Sequence, residues 1–287
     1  MSLPRRTTAW GFTSLVVALM TACATAAAAL AGCPAPVAEA ALPSISGVPG
    51  TPDDLASAPD GSLWVSEVDD DVIYNVTVSG RILSTIREAG GPEGVVVLPD
   101  GRLAVAEQVP NRIVLINPAT GAAPQALASL PAAAGQLGVD GIGYDAAHDR
   151  LLVPDSPMGT LLAVSITNGA VETLATGMGR IVDAAVGPDG AIYAVAETTS
   201  GLQRVPAGGG TAVRVGTLTD LDDVVSLNGL LYVSDLRGAV WAVDPTAGAD
   251  RELVTAASAP QGLIALGPRL VLADETTRAI AWVNACG

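Results

Sequence analysis

The chain has 287 residues, with 29 acidic and 14 basic side chains, a formal net charge of −15, one histidine and no lysine. Such an acidic surface repels nucleic acid and favours cations. The absence of lysine excludes Schiff-base chemistry, and one histidine leaves a single candidate for any catalytic triad.

Residues 1–32 have the layout of an export signal, with two arginines near the start and an apolar run from Ala9 to Gly32. The run ends in LAGC, which resembles a lipobox, the bacterial signal for cleavage before a cysteine and acylation of that cysteine. This predicts a lipid anchor at Cys33 on the outer face of the membrane, followed by a short linker at residues 33–40.

Other interpretations of the N-terminus stay open. MTAC, which ends at Cys23, is a poorer lipobox, and AEA at residues 38–40 is a candidate small-residue cleavage site that predicts a secreted or periplasmic protein. Retention of the apolar run as a membrane helix is the third alternative. If Cys33 is not acylated, it is free to form a disulfide with Cys286 in an oxidising compartment.

The remainder of the chain is a repeat in which an apolar run, a tight turn and a second apolar run end in an acid. The turns are PDG, NG or similar sequences, which are typical of hairpins. Successive acids are 38 to 48 residues apart. The six acids that end these units are Glu67, Glu107, Asp155, Glu197, Asp235 and Asp274.

One unit shows how each repeat divides into four strands. The predicted strands of the second unit are Val95–Leu98, Leu103–Ala106, Arg112–Asn117 and Pro124–Leu130. About 40 residues for a four-stranded antiparallel unit is the period of a propeller blade. The sequence therefore predicts an all-β fold, a six-bladed β-propeller spanning residues 41–287.

The sixth unit ends after its third strand, which would leave an open sheet edge. The segment ALPSISGV (residues 41–48) precedes the first unit. We therefore expect this N-terminal segment to supply the missing strand and close the ring, which would bring Cys33 and Cys286 into the same region.

The units, such as GPEGVVVLPDGRLAVAEQVPNRIVLINPATG, resemble the NHL and streptogramin-lyase type of six-bladed propeller. They are also similar to the gluconolactonase family, which includes senescence-marker-protein or regucalcin-like members. The resemblance covers about residues 41–287. It is specific for the fold and much less so for function, because unrelated activities share this scaffold.

The resemblance to gluconolactonases implies a divalent cation, commonly calcium, at the mouth of the central channel. The contexts Glu93-Gly94 and Asp140-Gly141 match those of the family's ligands at the starts of inner strands, and Asp183 is placed at the equivalent point of the fourth blade. These three acids are the predicted metal ligands. Asp223 or Asp54 is the predicted general base. The family's asparagine ligand has no clear counterpart.

The resemblance to streptogramin lyases would require a histidine base at the mouth, whereas His148 falls in a hairpin turn on the opposite face.

Strand geometry predicts that the acids at the starts of the inner strands lie on the same face of the propeller as the six unit-ending acids. Repulsion between these like charges should raise the pKa values of some of the acids. Oxygen ligands without histidine or cysteine suit calcium or magnesium. Simpler roles compete with ligation: Asp60, Asp100 and Asp189 are expected to form the PDG turns, and the unit-ending acids to cap the following turn.

Two functions follow for the whole chain. The first is an exported, monomeric propeller that binds a divalent cation such as Ca²⁺ at its channel mouth and hydrolyses a lactone or similar ester. The second is a non-catalytic extracellular scaffold that holds a small-molecule ligand or a protein, using the acidic face or the extra residues between Leu130 and Val139.

Overall fold

The computed structural model describes residues 30–67, 69–87, 90–131 and 135–287, so the predicted export signal lies almost wholly outside the described residues. Within these ranges the chain forms six antiparallel sheets arranged as a ring, the predicted six-bladed β-propeller. No helix in the described ranges is long and apolar enough to cross a membrane.

Two short strands, β1 (Val37–Ala38) and β2 (Ser44–Ile45), precede the first blade, with a 3₁₀ helix at Glu39–Ala41 between them. Blade 1 contains β3 (Leu55–Ser57), β4 (Leu63–Glu67), β5 (Val72–Val76) and β6 (Ile82–Arg87). Blade 2 contains β7 (Pro92–Val97), β8 (Leu103–Glu107), β9 (Arg112–Ile116) and β10 (Gln125–Ser129). Blade 3 contains β11 (Gly143–Asp145), β12 (Arg150–Asp155), β13 (Thr160–Ser165) and β14 (Val171–Ala175), with a 3₁₀ helix at Ser156–Met158.

The remaining blades follow the same order. Blade 4 contains β15 (Ile181–Val186), β16 (Ile192–Ala196), β17 (Gln203–Val205) and β18 (Val213–Arg214). Blade 5 contains β19 (Leu221–Leu227), β20 (Leu230–Asp235), β21 (Ala239–Asp244) and β22 (Ala249–Thr255). Blade 6 contains β23 (Pro260–Leu266), β24 (Arg269–Asp274) and β25 (Ala279–Asn284).

The hydrophobic core lies between neighbouring blades rather than at the centre of the ring. Leu151 of β12 packs toward blade 2 and the next residue, Leu152, packs toward blade 4, and both are fully buried. Successive side chains of a strand point to opposite faces of its sheet. Since both faces are covered by another blade, the second strand of each blade is buried at nearly every position.

The PDG turns have the predicted role. Gly61, Gly101 and Gly190 adopt positive φ values of 82°, 84° and 76°, which glycine tolerates without strain. The aspartate of each turn accepts a hydrogen bond from the backbone N–H two residues later. These three acids are therefore committed to the hairpins.

The ring closes as the sequence predicts, because β2 pairs antiparallel with β25 and supplies the fourth strand of blade 6. The preceding residues, predicted as a linker, also join the fold: β1 adds a fifth strand to blade 5, parallel to β22. Cys33 and Cys286 form a disulfide, and both are buried against blades 5 and 6. Both ends of the described chain are thus fixed at the same place.

Candidate functional site

The inner strands present two successive residues to the channel where they begin. In four blades a bulge at this point shifts the pairing with the second strand by one or more residues. We call the first positions the upper tier and the second positions the lower tier. The upper tier consists of Asp53, Glu93, Asp140, Val182, Asp222 and Gln261. The lower tier consists of Asp54, Gly94, Gly141, Asp183, Asp223 and Gly262.

The polar residues of the upper tier line a pocket of about 150 Å³ at one end of the channel, which we call the mouth pocket. Gln108, Glu197 and Glu275 complete its polar rim, together with Arg180 and Leu137. The pocket therefore gathers six carboxyls and two amides around a space that could hold a hydrated ion. Arg180 is the one cationic side chain among the described residues that line it.

Burial and crowding alter the ionisation of these acids. Burial raises the pKa values of Glu93, Asp140 and Asp222 well above their ordinary range, and the neighbouring carboxylates raise them further. Asp53 and Glu93 influence each other, and the charge of Asp53 contributes to the raised pKa of Glu93. The carboxyl groups of the upper tier therefore do not titrate independently, because ionisation of one makes ionisation of its neighbours less favourable.

Arg180 relieves part of this repulsion. Its Nη2 lies 3.2 Å from Oδ2 of Asp140, across the boundary between blades 3 and 4, and its Nε donates to Oε2 of Glu197. Blade 4 has Val182 rather than a polar residue in the upper tier, and this valine is buried in the core between blades 4 and 5. Arg180 precedes it by two residues and reaches into the mouth pocket.

The lower tier joins neighbouring blades. Asp54 Oδ2 accepts the N–H of Val95 at 2.9 Å, and Asp183 Oδ2 accepts that of Val224 at 3.1 Å. Asp223 Oδ2 accepts the N–H of Leu263 at 2.6 Å. Each bond therefore connects one inner strand to the next around the ring.

The other three lower-tier positions, in blades 2, 3 and 6, are glycines because the ring is narrow. A Cβ on Gly141 would lie 2.8 Å from Oδ1 of Asp183, and one on Gly262 would lie 2.5 Å from the carbonyl oxygen of Asp53. Where blades 2 and 6 carry glycine in the lower tier, backbone hydrogen bonds join them to the next blade. The N–H of Gly94 donates to the carbonyl of Asp140, and the N–H of Gly262 donates to the carbonyl of Asp53. The lower tier is consequently a structural layer of the channel.

Glu67, Asp235 and Asp274 cap the turns that follow them, as predicted. Glu67 accepts the N–H groups of Thr51 and Asp70, and Asp274 accepts those of Ser258, Ala259 and Thr277. Glu107 and Asp235 pair with Arg112 and Arg237, respectively. These contacts direct their oxygens away from the mouth pocket.

Glu197 lines the mouth pocket instead, and the pairing of its strand explains this position. Ala196 pairs with Ile181 just as Glu107 pairs with Pro92, so Glu197 lies one residue beyond the usual end of the second strand. Glu275 and Gln108 occupy this same following position in blades 6 and 2, and all three line the mouth pocket. The rim is therefore formed by the residue after the unit-ending position.

A larger open groove of about 790 Å³, the side groove, adjoins the mouth pocket between blades 3 and 4. Arg180, Glu197 and Leu137 line both spaces. Ser156 also lines the side groove; it is buried, and its Oγ has no hydrogen-bond partner in the described part of the chain. Buried hydroxyls in folded proteins are normally paired, so this one is available to a ligand or to water.

The five predicted site residues divide between the two tiers. Glu93 and Asp140 lie together in the mouth pocket, whereas Asp183 lies one residue deeper, level with Asp54 and Asp223. Among the described residues no group of three Asp, Glu, His or Cys side chains is arranged to hold a metal ion. The donor chemistry of the upper tier, carboxylate and amide oxygens alone, nevertheless suits calcium or magnesium.

Sequence reasoning missed Arg180, Asp222 and the rim residues. Asp222 could have been found, because Asp222-Asp223 repeats the Asp53-Asp54 pair at the start of an inner strand. His148 lies in the hairpin between β11 and β12, where its Nδ1 is 2.7 Å from Oδ2 of Asp145 and its side chain is half exposed. It takes no part in the mouth pocket.

Known structures with this architecture include proteins with different activities. A regucalcin from Agrobacterium tumefaciens, described as a calcium-binding protein, superposes with a TM-score of 0.71 at 17% identity, over 86% of this chain and 94% of that one. A gluconolactonase from Xanthomonas campestris gives 0.68 at 12% identity, over 84% and 88%. A virginiamycin B lyase from Staphylococcus aureus gives 0.64 at 18% identity, over 80% and 79%.

These likenesses establish the six-bladed propeller fold, which the chain shares with gluconolactonase, regucalcin and streptogramin lyase structures. At these identities they do not assign an activity. No family model matches the sequence. No curated protein matches it either.

Proposed function

We propose that the protein is an exported propeller that binds a divalent cation, with calcium as the first candidate, in the mouth pocket. The observation that carries the proposal is the convergence of Asp53, Glu93, Asp140, Asp222 and Gln261 on one pocket of about 150 Å³. Burying several carboxyls together is costly unless a cation neutralises them. The calcium-binding regucalcin that shares this fold supports the choice of ion.

The ligands we propose are the upper-tier acids, with Glu93 and Asp140 retained from the sequence prediction. Asp222 replaces Asp183, because Oδ2 of Asp183 already accepts the N–H of Val224 on the neighbouring inner strand. No hydrogen bond holds the carboxyl of Asp222 within the described part of the chain. It is therefore free to turn toward an ion.

The candidate reaction is hydrolysis of a lactone or similar ester, as in the gluconolactonase with this fold. A bound divalent cation would polarise the carbonyl of the substrate and lower the pKa of a water molecule. Asp54 and Asp223 are poorly suited as the general base. Both oxygens of Asp54 accept backbone N–H groups, and Oδ2 of Asp223 accepts the N–H of Leu263.

Calcium titration tests the binding step. We expect isothermal calorimetry to give saturable heat with one Ca²⁺ per chain, and calcium to raise the melting temperature relative to EDTA. The Asp222→Asn and Glu93→Gln variants, which remove charge with little change of shape, should each weaken binding at least tenfold. Asp100→Asn, in an exposed turn, is the matched control and should bind like the wild type.

Equal melting temperatures in calcium and EDTA, without binding heat, would refute the cation site. If binding is present, a panel of lactones and aryl esters tests the reaction. Hydrolysis that is lost in EDTA and in Asp222→Asn supports the enzyme, whereas calcium binding without any turnover supports a binding protein.

The alternative function, a non-catalytic scaffold, is favoured by one feature, the side groove. Its volume of about 790 Å³ lies within the range of small-molecule sites, and Leu137 and Met158 at its edge are more than half exposed. Ser156, Gln136 and Arg180 would supply the polar contacts. In this function the groove holds a ligand and the mouth pocket contributes only its charge.

A further inference from the structure

The acidic side chains that line the mouth pocket outnumber the basic ones. Six carboxyls line the pocket: Asp53, Glu93, Asp140, Asp222, Glu197 and Glu275. Arg180 faces them as the single cation of the described lining, and it contacts two of them. The wild-type pocket thus already contains a positive charge where a metal ion would be attracted.

The guanidinium of Arg180 contacts Asp140, one of the proposed metal ligands. Its Nη2 lies 3.2 Å from Oδ2 of Asp140, an upper-tier oxygen that a cation would need. Its Nε is paired with Glu197 at the rim, so the guanidinium spans the gap left by Val182. An ion that recruited Asp140 would have to compete with this pair, and two cations in one small pocket would repel each other.

The side groove provides a place for the displaced side chain. Arg180 lines both spaces, and about 31% of its side chain is exposed. Its pairing with Glu197, which also lines both spaces, would hold the guanidinium at the groove side while Asp140 turned toward an ion. Release of Arg180 therefore needs no rearrangement of the strands.

We propose that Arg180 is a tethered cation that occupies part of the cation site and sets its affinity by competing with a divalent ion for Asp140. This inference rests on the proposed function of the mouth pocket and adds its regulation by a residue of the chain itself. Removing the guanidinium should make the pocket a stronger calcium site, although the variant loses an ion pair.

The test compares calcium binding by wild type, Arg180→Gln and Arg204→Gln in calorimetry. Arg204 forms an ion pair with Asp189 at an exposed PDG turn, so it is a matched control for loss of one arginine. We expect Arg180→Gln to bind calcium about tenfold more tightly than wild type, or about 1.4 kcal/mol. Arg204→Gln should bind as the wild type does.

Each outcome separates this inference from the function on which it rests. Calcium binding of equal strength in wild type and Arg180→Gln refutes the competition and leaves the cation site intact. Binding only in Arg180→Gln supports Arg180 as the resident cation and refutes calcium binding by the wild type. Absence of binding in both proteins overturns both proposals.

A second variant covers a failure to fold. Arg180→Lys keeps the charge but lacks the planar fork that contacts Asp140 and Glu197 together. It should bind calcium with an affinity between those of wild type and Arg180→Gln. An affinity for Arg180→Lys no higher than that of the wild type, in a folded protein, would count against competition at Asp140.

Discussion

Replacing Cys286 with serine should lower the free energy of unfolding by about 3–5 kcal/mol. The disulfide joins residues 253 positions apart, so its loss releases an exceptionally long loop in the unfolded chain. Urea unfolding followed by circular dichroism measures the change. Reducing agent should weaken the wild type by a similar amount and leave Cys286→Ser unchanged, and Cys33→Ser should match Cys286→Ser.

The same experiment tests the N-terminal predictions, because one sulfur atom cannot carry both a disulfide and a lipid. Intact mass measurement of the protein should show a loss of two hydrogens and no diacylglyceryl group at Cys33. Cleavage after residues 38–40 would remove Cys33 altogether, whereas acylation at Cys23 would leave the disulfide possible. A lipid on Cys33, with stability insensitive to reductant, would contradict the bond.

The stability of the fold should decrease as the pH rises from about 5 to 8 in the presence of EDTA. Burial raises the pKa values of Asp54 and Asp223 well above their ordinary value of 3.8, and that of Asp183 is also raised. Acids with raised native pKa values stabilise the fold below their unfolded pKa. This contribution is lost as the pH rises through the native pKa. Each such proton contributes a slope of about 1.4 kcal/mol per pH unit.

Two variants of Asp223 separate charge from hydrogen bonding. Asp223→Asn keeps an oxygen for the N–H of Leu263 but cannot ionise, so it should flatten the pH profile and be more stable than wild type at pH 8. Asp223→Ala leaves that N–H unpaired and should cost about 1–3 kcal/mol at pH 5.

The control for these variants is Asp189→Asn. The side-chain and backbone hydrogen bonds and the charge of Arg204 hold the pKa of Asp189 below its ordinary value despite some desolvation, so it titrates outside the pH window. Its substitution should leave the slope unchanged. A wild-type profile that rises between pH 5 and 8, or one that Asp223→Asn does not alter, would contradict the lower-tier assignment.

The sequence was sufficient for the architecture because every blade repeats the same local signals. The period, the PDG turns and the apolar strands predict four strands per unit, and the missing strand of blade 6 identifies residues 41–48 as its source. The pairing of β1 with β22 was not predictable, since the two residues of β1 carry no pattern. Short strands of this kind depend on their neighbours rather than on intrinsic preference.

The positions of the candidate-site acids along the inner strands were predictable to within one residue, and a difference of one residue changes the surroundings of the side chain. Successive strand positions face different surroundings, so placing Asp183 level with Glu93 exchanges a structural aspartate for a candidate ligand. A spacing in the sequence signals part of the difference. Eight positions separate Pro99 from Glu107, whereas nine separate Pro188 from Glu197, so the acid of blade 4 follows its strand instead of ending it.

Arg180 could not be assigned from sequence, because its partners come from a different blade and from the end of a different strand. Asp140 is 40 residues away and Glu197 is 17 residues away. No local rule relates such positions, and only the ring brings them together. The charge balance of the mouth pocket is thus a property of the assembled propeller.

The pairing of β2 with β25 has a consequence for the order of folding. Ser44 pairs with Ala281, so the N-terminal segment that contains β2 stays unpaired until the residues of β25 have been synthesised. Contacts between such distant residues form slowly, because the intervening chain must first be ordered. Ring closure should therefore be the last and slowest step of folding. Until then, the unpaired edge of blade 6 is the surface to which a chaperone or another partly folded chain would bind.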